Sequence, residues 1–278
     1  MRTNISGLDH AVILVRDLDA AQATYARLGL TLTPRGFHSI GTHNHCSMFG
    51  SDYVELLAVR RPHPVTAYFS KFLADAEGAA ALAFSTGDAR AAHAGLRAAG
   101  VMADEPVDFS RPVEVDGMRS DARFRVVQLP VNETPGCRAF LCQHFTPELV
   151  WRPEYRQHAL GVVGVAGVSV VVEDVGEALK AYGRVLDTPP TQAGASWRLV
   201  AGDCTLTFSD RAAAEQRLGA LALPRRDGPM LGALHLRVRD REVAAEVLRR
   251  GGFTTERTVD GALVIGASQV HGVALVFV

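Results

Sequence analysis

Two ionisable side chains of this 278-residue sequence stand inside apolar, strand-like runs, where their burial needs a chemical reason. Glu55 lies in YVELLAV and His10 in LDHAVILV. By the two-residue period of a strand, each shares a face with apolar neighbours. A carboxylate buried without a partner is expensive, and a bound cation removes that cost. A single strand histidine is more often a hydrogen-bonded core residue or exposed, so the argument for His10 depends on the matching Glu55 and on the repeat described below.

Two further groups of polar residues favour chemistry less strongly. His43 and His45 point to the same side of a strand and are compatible with a second ligand pair, a substrate contact or a solvated hairpin. Arg123 and Arg125 alternate with apolar residues in RFRV. They could present guanidinium groups to a carboxylate or enolate oxygen, and a solvent-facing strand surface fits them equally well.

A unit that occurs four times must position these side chains. Each copy has an aliphatic run, then an Asp, then an Ala- and Leu-rich stretch with apolar residues at helical spacing. Asp suits the start of a helix because its carboxylate accepts hydrogen bonds from the free amides of the first turn. The copies span 8–29, 81–100, 165–186 and 231–252, and the capping residues are Asp17, Asp88, Asp174 and Asp240. Gly29, Gly100 and Gly252 favour the ends of three helices, and Asp187 to Pro189 that of the third copy.

Short strands joined by turn residues follow each strand and helix pair. Residues 30–34, 44–49 and 53–59 have this pattern in the first unit, and Asp260-Gly261 predicts a hairpin in the last. Each unit therefore reads as βαβββ. One such sheet leaves an apolar face uncovered, so two units are expected to pair into a cup. The sequence predicts an α+β fold with two cup-shaped half-barrel domains, at 1–155 and 156–278.

The composition excludes several classes of partner. With 29 basic and 30 acidic residues, the net charge of −1 argues against a nucleic-acid binder or a membrane-surface protein. No apolar run is long enough to span a bilayer, and no signal peptide is evident. The four cysteines form no C-x-x-C pair and read as reduced thiols, which predicts a cytoplasmic protein. A homodimer is permitted but not required, because four units complete two cups within one chain.

The layout resembles the vicinal oxygen chelate superfamily, which contains glyoxalase I, bleomycin-resistance proteins and extradiol dioxygenases. The resemblance covers nearly the whole chain and is closest in LDHAVILVRDLDAA, HSIGTHNHCSMF and SDYVELLAV, which look like the glyoxalase-like branch. It implies metal ligands on the first and last strands of paired units, facing the cup. It also implies a divalent cation, such as Fe, Mn, Zn, Ni or Co, that chelates two neighbouring oxygens of a small-molecule substrate.

Carried over by residue, the resemblance implies that His10, Glu55 and His144 hold the metal. Gln143 replaces His144 if the register differs by one, and Glu148 is a less favoured carboxylate. The first strand of the second unit, ALAFST, lacks the usual ligand. Two imidazoles and one carboxylate leave coordination positions open for substrate. His38 and Asn44, with Arg123 and Arg125, are the candidate substrate contacts, and the second domain reads as a degenerate half.

Three superfamily activities fit these residues to different degrees. A glyoxalase-like lyase or isomerase would use the metal as a Lewis acid and Glu55 as the proton-transferring base, although glyoxalase I itself normally has such a Glu in each paired unit. An extradiol-type dioxygenase would use Fe(II). Extradiol enzymes of similar length, however, carry their metal ligands in the second domain. A drug-binding protein needs no metal. The sequence therefore favours a metal-dependent lyase or isomerase with its active site in the N-terminal cup.

Overall fold

Each of the four repeats folds into one strand, one helix and three further strands. The computed structural model describes residues 3–115, 117–219 and 222–278. The first two units, with α2 between them, are β1 (Gly7–Leu14), α1 (Leu18–Arg27), β2 (Gly36–Phe37), β3 (Thr42–Met48), β4 (Tyr53–Val59), α2 (Ala67–Asp75), β5 (Gly78–Ser85), α3 (Ala89–Ala98), β6 (Val107–Val115), β7 (Met118–Gln128) and β8 (Arg138–His144). The last two, with α5 between them, are β9 (Val162–Val171), α4 (Val175–Leu186), β10 (Thr191–Ala193), β11 (Ser196–Ala201), β12 (Cys204–Ser209), α5 (Arg211–Leu218), β13 (Met230–Val238), α6 (Arg241–Arg250), β14 (Glu256–Arg257), β15 (Leu263–Ile265) and β16 (Ala274–Phe277). The predicted α+β fold is confirmed.

An aspartate begins each repeat helix, as its sequence position indicates. The carboxylates of Asp17, Asp88, Asp174 and Asp240 accept hydrogen bonds from backbone amides of the first turn. The third copy has no glycine at its end. Its helix stops at Asp187, which takes the left-handed conformation with a φ of 51°.

The two halves form eight-stranded sheets with the same strand order. The orders are β2-β3-β4-β1-β5-β8-β7-β6 and β10-β11-β12-β9-β13-β16-β15-β14. The first strands of two units lie antiparallel at the centre, and each pairs in parallel with the last strand of its own unit. The edges of the first sheet approach each other, since the amide of Ser39 donates to the carbonyl of Ser110 at 3.4 Å. This sheet therefore curls into a nearly closed cup.

The repeat helices lie between the outer faces of the two sheets. One continuous hydrophobic cluster joins both halves and contains Tyr25, Leu96, Tyr182 and Leu248 from the four helices. The inner face of each sheet has separate apolar clusters. α2 packs into the first cup through Phe69 and Phe72, and α5 packs into the second. The chain crosses from one sheet to the other between residues 144 and 162.

The described chain can be compared with two predictions from the composition, those on membrane-spanning segments and on the cysteines. None of its helices has the length and apolar character needed to cross a bilayer. The four cysteines are buried and unpaired. One local prediction differs: residues 30–34 are not a strand, because Thr33 bonds Cys46 through both its amide and its hydroxyl and Pro34 has no amide hydrogen.

Candidate functional site

The first cup contains a cavity of about 70 Å³. Most of its wall is apolar and includes Ile40, Leu57, Phe69, Phe109, Phe124 and Phe140. The ionisable or amide side chains that line it are His10, His38, Asn44, Glu55, Arg111 and Gln128. The cavity is thus small, mostly hydrophobic and polar at a few positions, as is typical of small-molecule sites.

Glu55 lies at the polar end of this cavity and is 6% exposed. On the neighbouring strand β3, Asn44 donates from Nδ2 to Oε1 of Glu55 at 2.6 Å. Nε2 of His10 is 3.7 Å from Oε2, and Nε2 of His38 is 4.0 Å from Oε1. The parallel register of β1 and β4 sets Val12 opposite Glu55, which brings His10 to the same end of the cup.

Hydrogen bonds at Nδ1 orient both imidazoles. Nδ1 of His10 lies 2.6 Å from Oδ1 of Asp9. Burial by itself raises the pKa of Asp9, but hydrogen bonds and charges of His10 and His144 outweigh it and lower the pKa to about 2. Asp9 is therefore ionised, and His10 donates to it from Nδ1. His38 shares a 2.7 Å hydrogen bond between Nδ1 and the hydroxyl of Thr42. Both rings present Nε2 to Glu55.

Glu55 lies close enough to each of the two imidazoles to share a divalent cation with it. The distances from Glu55 to the two imidazoles are too long for hydrogen bonds. Donors that each lie about 2.0–2.2 Å from a cation can be up to roughly 4.3 Å apart, which both separations satisfy. Burial, together with the charges of Arg111 and His10, lowers the pKa of His38 to about 3, so this imidazole is neutral, as a ligand must be. The carboxylate bound to Nδ1 of His10 is a common support of metal-binding histidines.

His144 lies behind Asp9. Its Nε2 is 3.1 Å from Oδ2 of Asp9, and its ring is 4.6 Å from that of Trp151. Donor atoms of Asp9, Cys142 and His144 all lie within 4.8 Å of one another, and among the described residues this is the group of three donors that is close enough together to hold a metal. Burial raises the pKa of the Cys142 thiol well above its usual range, and the charges of Asp9 and Glu55 add to this.

The strand register explains why His144 is not the counterpart of Glu55. In the first unit Glu55 stands opposite Val12, and in the second Phe140 stands opposite Ala83. Val12 and Ala83 precede the capping residues of their helices by the same number of positions. Phe140 therefore occupies the position that corresponds to Glu55. The structure brings His10, His38, Asn44 and Glu55 together, and it places His144 next to Asp9.

The two strand arginines lie outside the cup. Phe124 and Val126 face the cavity, so Arg123 and Arg125, which alternate with them, point to the opposite side of β7. Arg125 binds Asp108 through two hydrogen bonds of 2.5 and 2.7 Å. Its guanidinium also lies 5.2 Å from the centre of the Phe145 ring. Arg125 is thus paired on the outer face, away from His10 and Glu55.

Other histidines have partners away from the cavity. His43 and His45 point to the outer side of β3, and Nδ1 of His45 donates to the carbonyl of Thr33 at 2.7 Å. In the second sheet, His235 lies 2.8 Å from the hydroxyl of Ser169. His271 lies 3.1 Å from Glu77, at the junction of the two sheets.

The sequence reasoning did not single out two buried residues of the site, Asp9 and Arg111. Asp9 carries the same signal as Glu55, a carboxylate in an apolar strand. Arg111 stands in VDFSRPVEV, where it interrupts an apolar face formed by Val107, Phe109, Val113 and Val115, so the same signal could have found it.

The two stacked cups built from four βαβββ units define a vicinal oxygen chelate fold. The chain belongs to the family described as glyoxalase-like domain, whose profile matches residues 8–186. A search of curated proteins found no match.

Solved structures share the fold over nearly the whole chain. A hypothetical protein from Staphylococcus aureus superimposes with a TM-score of 0.71 and 13% identity, over 98% of each chain. A mutant of 4-hydroxymandelate synthase from Streptomyces coelicolor superimposes with a TM-score of 0.57 and 18% identity, over 92% of this chain and 77% of that one. At these identities the similarity concerns the fold alone.

Proposed function

We propose that this protein is a metal-dependent enzyme of the lyase or isomerase type that acts on a small organic molecule with adjacent oxygens. The observation that supports this is the convergence of His10, His38 and Glu55 on one cavity. In this proposal these three residues hold the cation, and His38 is the second imidazole because it faces Glu55 directly. His144 then helps to position His10, because both imidazoles contact the carboxylate of Asp9. The second cup has a structural role.

The chain's own residues would prepare the site for proton transfer. When bound, a divalent cation polarises an oxygen of the substrate and so acidifies the neighbouring C–H bond. Of the described residues that line the cavity, Glu55 carries the sole carboxylate. Asn44 holds the carboxylate through Oε1, and Glu55 would accept the proton from substrate and return it. The aromatic wall keeps water away from this step.

Metal content tests the ligand set without reference to activity. Protein is loaded with Mn(II), Fe(II), Ni(II), Co(II) or Zn(II), dialysed and measured by mass spectrometry for the metal. We expect stoichiometric metal in the wild type and a large loss in His10→Ala and Glu55→Gln. His43→Ala is the matched control, since His43 lies on the outer face of a neighbouring strand, and it should retain the metal. Undiminished metal in both site variants would contradict the proposal.

An Fe(II) oxygenase is a second candidate, favoured by the donor set itself. Two imidazoles and one carboxylate with open positions are the arrangement found in non-haem Fe(II) oxygenases. Oxygen uptake with catechols under Fe(II) would support this candidate. Isomerisation of an adduct between a thiol and a ketoaldehyde under Ni, Co or Zn would support the lyase or isomerase. A ligand-induced thermal shift without turnover would instead indicate a binding protein.

A further inference from the structure

A buried arginine without a partner faces the same cavity. Arg111 lies on β6, is 6% exposed and lines the cavity wall. Across the described parts of the chain, no hydrogen bond or ion pair is seen at its guanidinium. A guanidinium carries five N–H donors and a permanent charge, and burying it unpaired is costly. An anion that enters the cavity would remove this cost.

Three other shielded arginines of this protein have hydrogen-bond partners within the protein. Arg125 binds both oxygens of Asp108. Arg217 donates to the hydroxyls of Ser169 and Ser196, each at 2.9 Å. Arg156 donates to two backbone carbonyls at 2.9 and 3.0 Å. Arg111 differs from these three arginines, since no hydrogen bond or ion pair is seen at its guanidinium in the described parts of the chain.

Gly36 makes room for Arg111 at the rim of the cup. A β-carbon at this position of β2 would lie 2.5 Å from Cδ and 2.7 Å from Nη1 of Arg111, and would also collide with Asn44. The absence of a side chain thus allows Arg111 to lie beside the residue that holds Glu55. The charge of Arg111 reaches the same cluster, since it helps to lower the pKa of His38 after the effect of burial.

We propose that Arg111 binds the carboxylate of the substrate, and that the substrate is a small 2-hydroxy or 2-oxo carboxylic acid. This inference rests on the proposed function, because it places the second oxygen of the substrate toward His10, His38 and Glu55. The planar fork of a guanidinium matches a carboxylate with two hydrogen bonds. The cavity of about 70 Å³ suits an acid of few atoms, and its apolar wall suits a hydrocarbon remainder.

Matched acids and amides test this assignment. Lactate with lactamide, and 2-hydroxybutyrate with 2-hydroxybutyramide, are titrated calorimetrically into Mn(II)-loaded protein. Each pair has the same shape and the same hydroxyl, and differs in charge. We expect the wild type to bind the acid roughly tenfold or more tightly than the amide, as a charged hydrogen bond implies. Arg111→Met should bring the two within about twofold while its metal content stays unchanged, and Arg111→Lys should keep a reduced preference.

The outcomes separate this inference from the proposed function. Equal binding of acid and amide by the wild type overturns the inference, as does a preference that survives in Arg111→Met. If Arg111→Met does not fold, an acid-to-amide ratio that Arg111→Lys leaves unchanged also overturns it. Wild-type protein that binds no metal but prefers the acid through Arg111 supports the inference and contradicts the metal site. Wild-type protein that binds metal but shows no preference for the acid supports the metal site and contradicts the inference about Arg111.

Discussion

Asp9 connects two imidazoles at the base of the first cup. It is 1% exposed, and its carboxylate accepts from Nδ1 of His10 and contacts Nε2 of His144. Its negative charge fixes which nitrogen of His10 carries the proton. As a result, Nε2 is the atom that His10 offers to the cavity. Asp9 is therefore a positioning residue for the proposed metal ligand.

Replacing this carboxylate should weaken metal binding without removing a ligand. We expect Asp9→Asn to lower the affinity for Mn(II) or Zn(II) by roughly 10–100-fold, the usual effect of losing the carboxylate behind a ligating histidine. Competition with a chromophoric chelator measures this affinity. Asp108→Asn, which alters an ion pair on the outer face, serves as the control and should leave the affinity unchanged. An equal affinity in the Asp9 variant and the wild type would exclude this role.

At the level of single residues, the sequence indicates a chemical site where a charge interrupts an apolar strand. This logic finds His10 and Glu55, which lie 3.7 Å apart. Strict alternation would send Asp9 to the opposite face, but a register shift between Leu8 and His10 turns β1 locally. Arg111 also interrupts an apolar strand face, formed by Val107, Phe109, Val113 and Val115, but Pro112 weakens the prediction of a strand there.

The repeat helices depend on their capping aspartates. Asp240 accepts from the amides of Glu242 and Val243 at 2.8 and 3.1 Å, so it satisfies two of the free amides of α6. Leu248 and Ala244 of this helix are buried in the layer between the sheets. The start of α6 is thus coupled to the central core.

Removal of this cap should destabilise the protein by a small, measurable amount. We expect Asp240→Ala to lower the free energy of unfolding by about 1 kcal/mol, since alanine leaves the amides unsatisfied. Asp240→Asn keeps an acceptor oxygen and should lower the free energy of unfolding by only about 0.3 kcal/mol. Urea unfolding of the three proteins measures the difference. Equal losses in both variants would mean that charge, and not the hydrogen bonds, stabilises the helix start.

The order of elements was accessible from the sequence because the unit repeats. Strand, Asp and amphipathic helix recur four times, and each copy supports the others. α2 and α5 lie outside the repeat, and they fold because their apolar residues cover the cups. Their burial depends on sheets formed by distant parts of the chain, so local periodicity does not reveal them. β6 alternates in the sequence, but it contains Pro112, and it lies at the edge of the sheet, where it pairs with β7 along its whole length.

Glycines allow the two halves of the molecule to approach closely at two places. A β-carbon at Gly78 would lie 2.5 Å from the carbonyl oxygen of Gly272, and one at Gly202 would lie 2.9 Å from Cα of Gly7. In both places a central strand of the first sheet meets a turn of the second. Together with the shared helix layer, these contacts make the two cups one packed body, although each has its own inner face.

Asp52 couples this junction to pH. Its Oδ1 accepts from the amide of Val165 at 2.9 Å, which ties the turn before β4 to β9. Burial raises its pKa from 3.8 to about 6, against the opposing effects of that hydrogen bond and of Arg237. Between these two values the folded state binds more protons than the unfolded state. The free energy of unfolding should therefore fall as the pH rises from about 4 to about 6, by up to roughly 3 kcal/mol from this group.

Asp52→Asn should remove this dependence, because asparagine keeps an acceptor oxygen and does not titrate. We expect its urea unfolding curves at pH 4, 5, 6 and 7 to give a flatter pH profile than the wild type and a higher stability at pH 7. Asp121→Asn changes an exposed carboxylate on β7 and should follow the wild-type profile. A slope between pH 4 and 6 that the Asp52 substitution leaves unchanged would show that the junction does not hold a protonated carboxyl group.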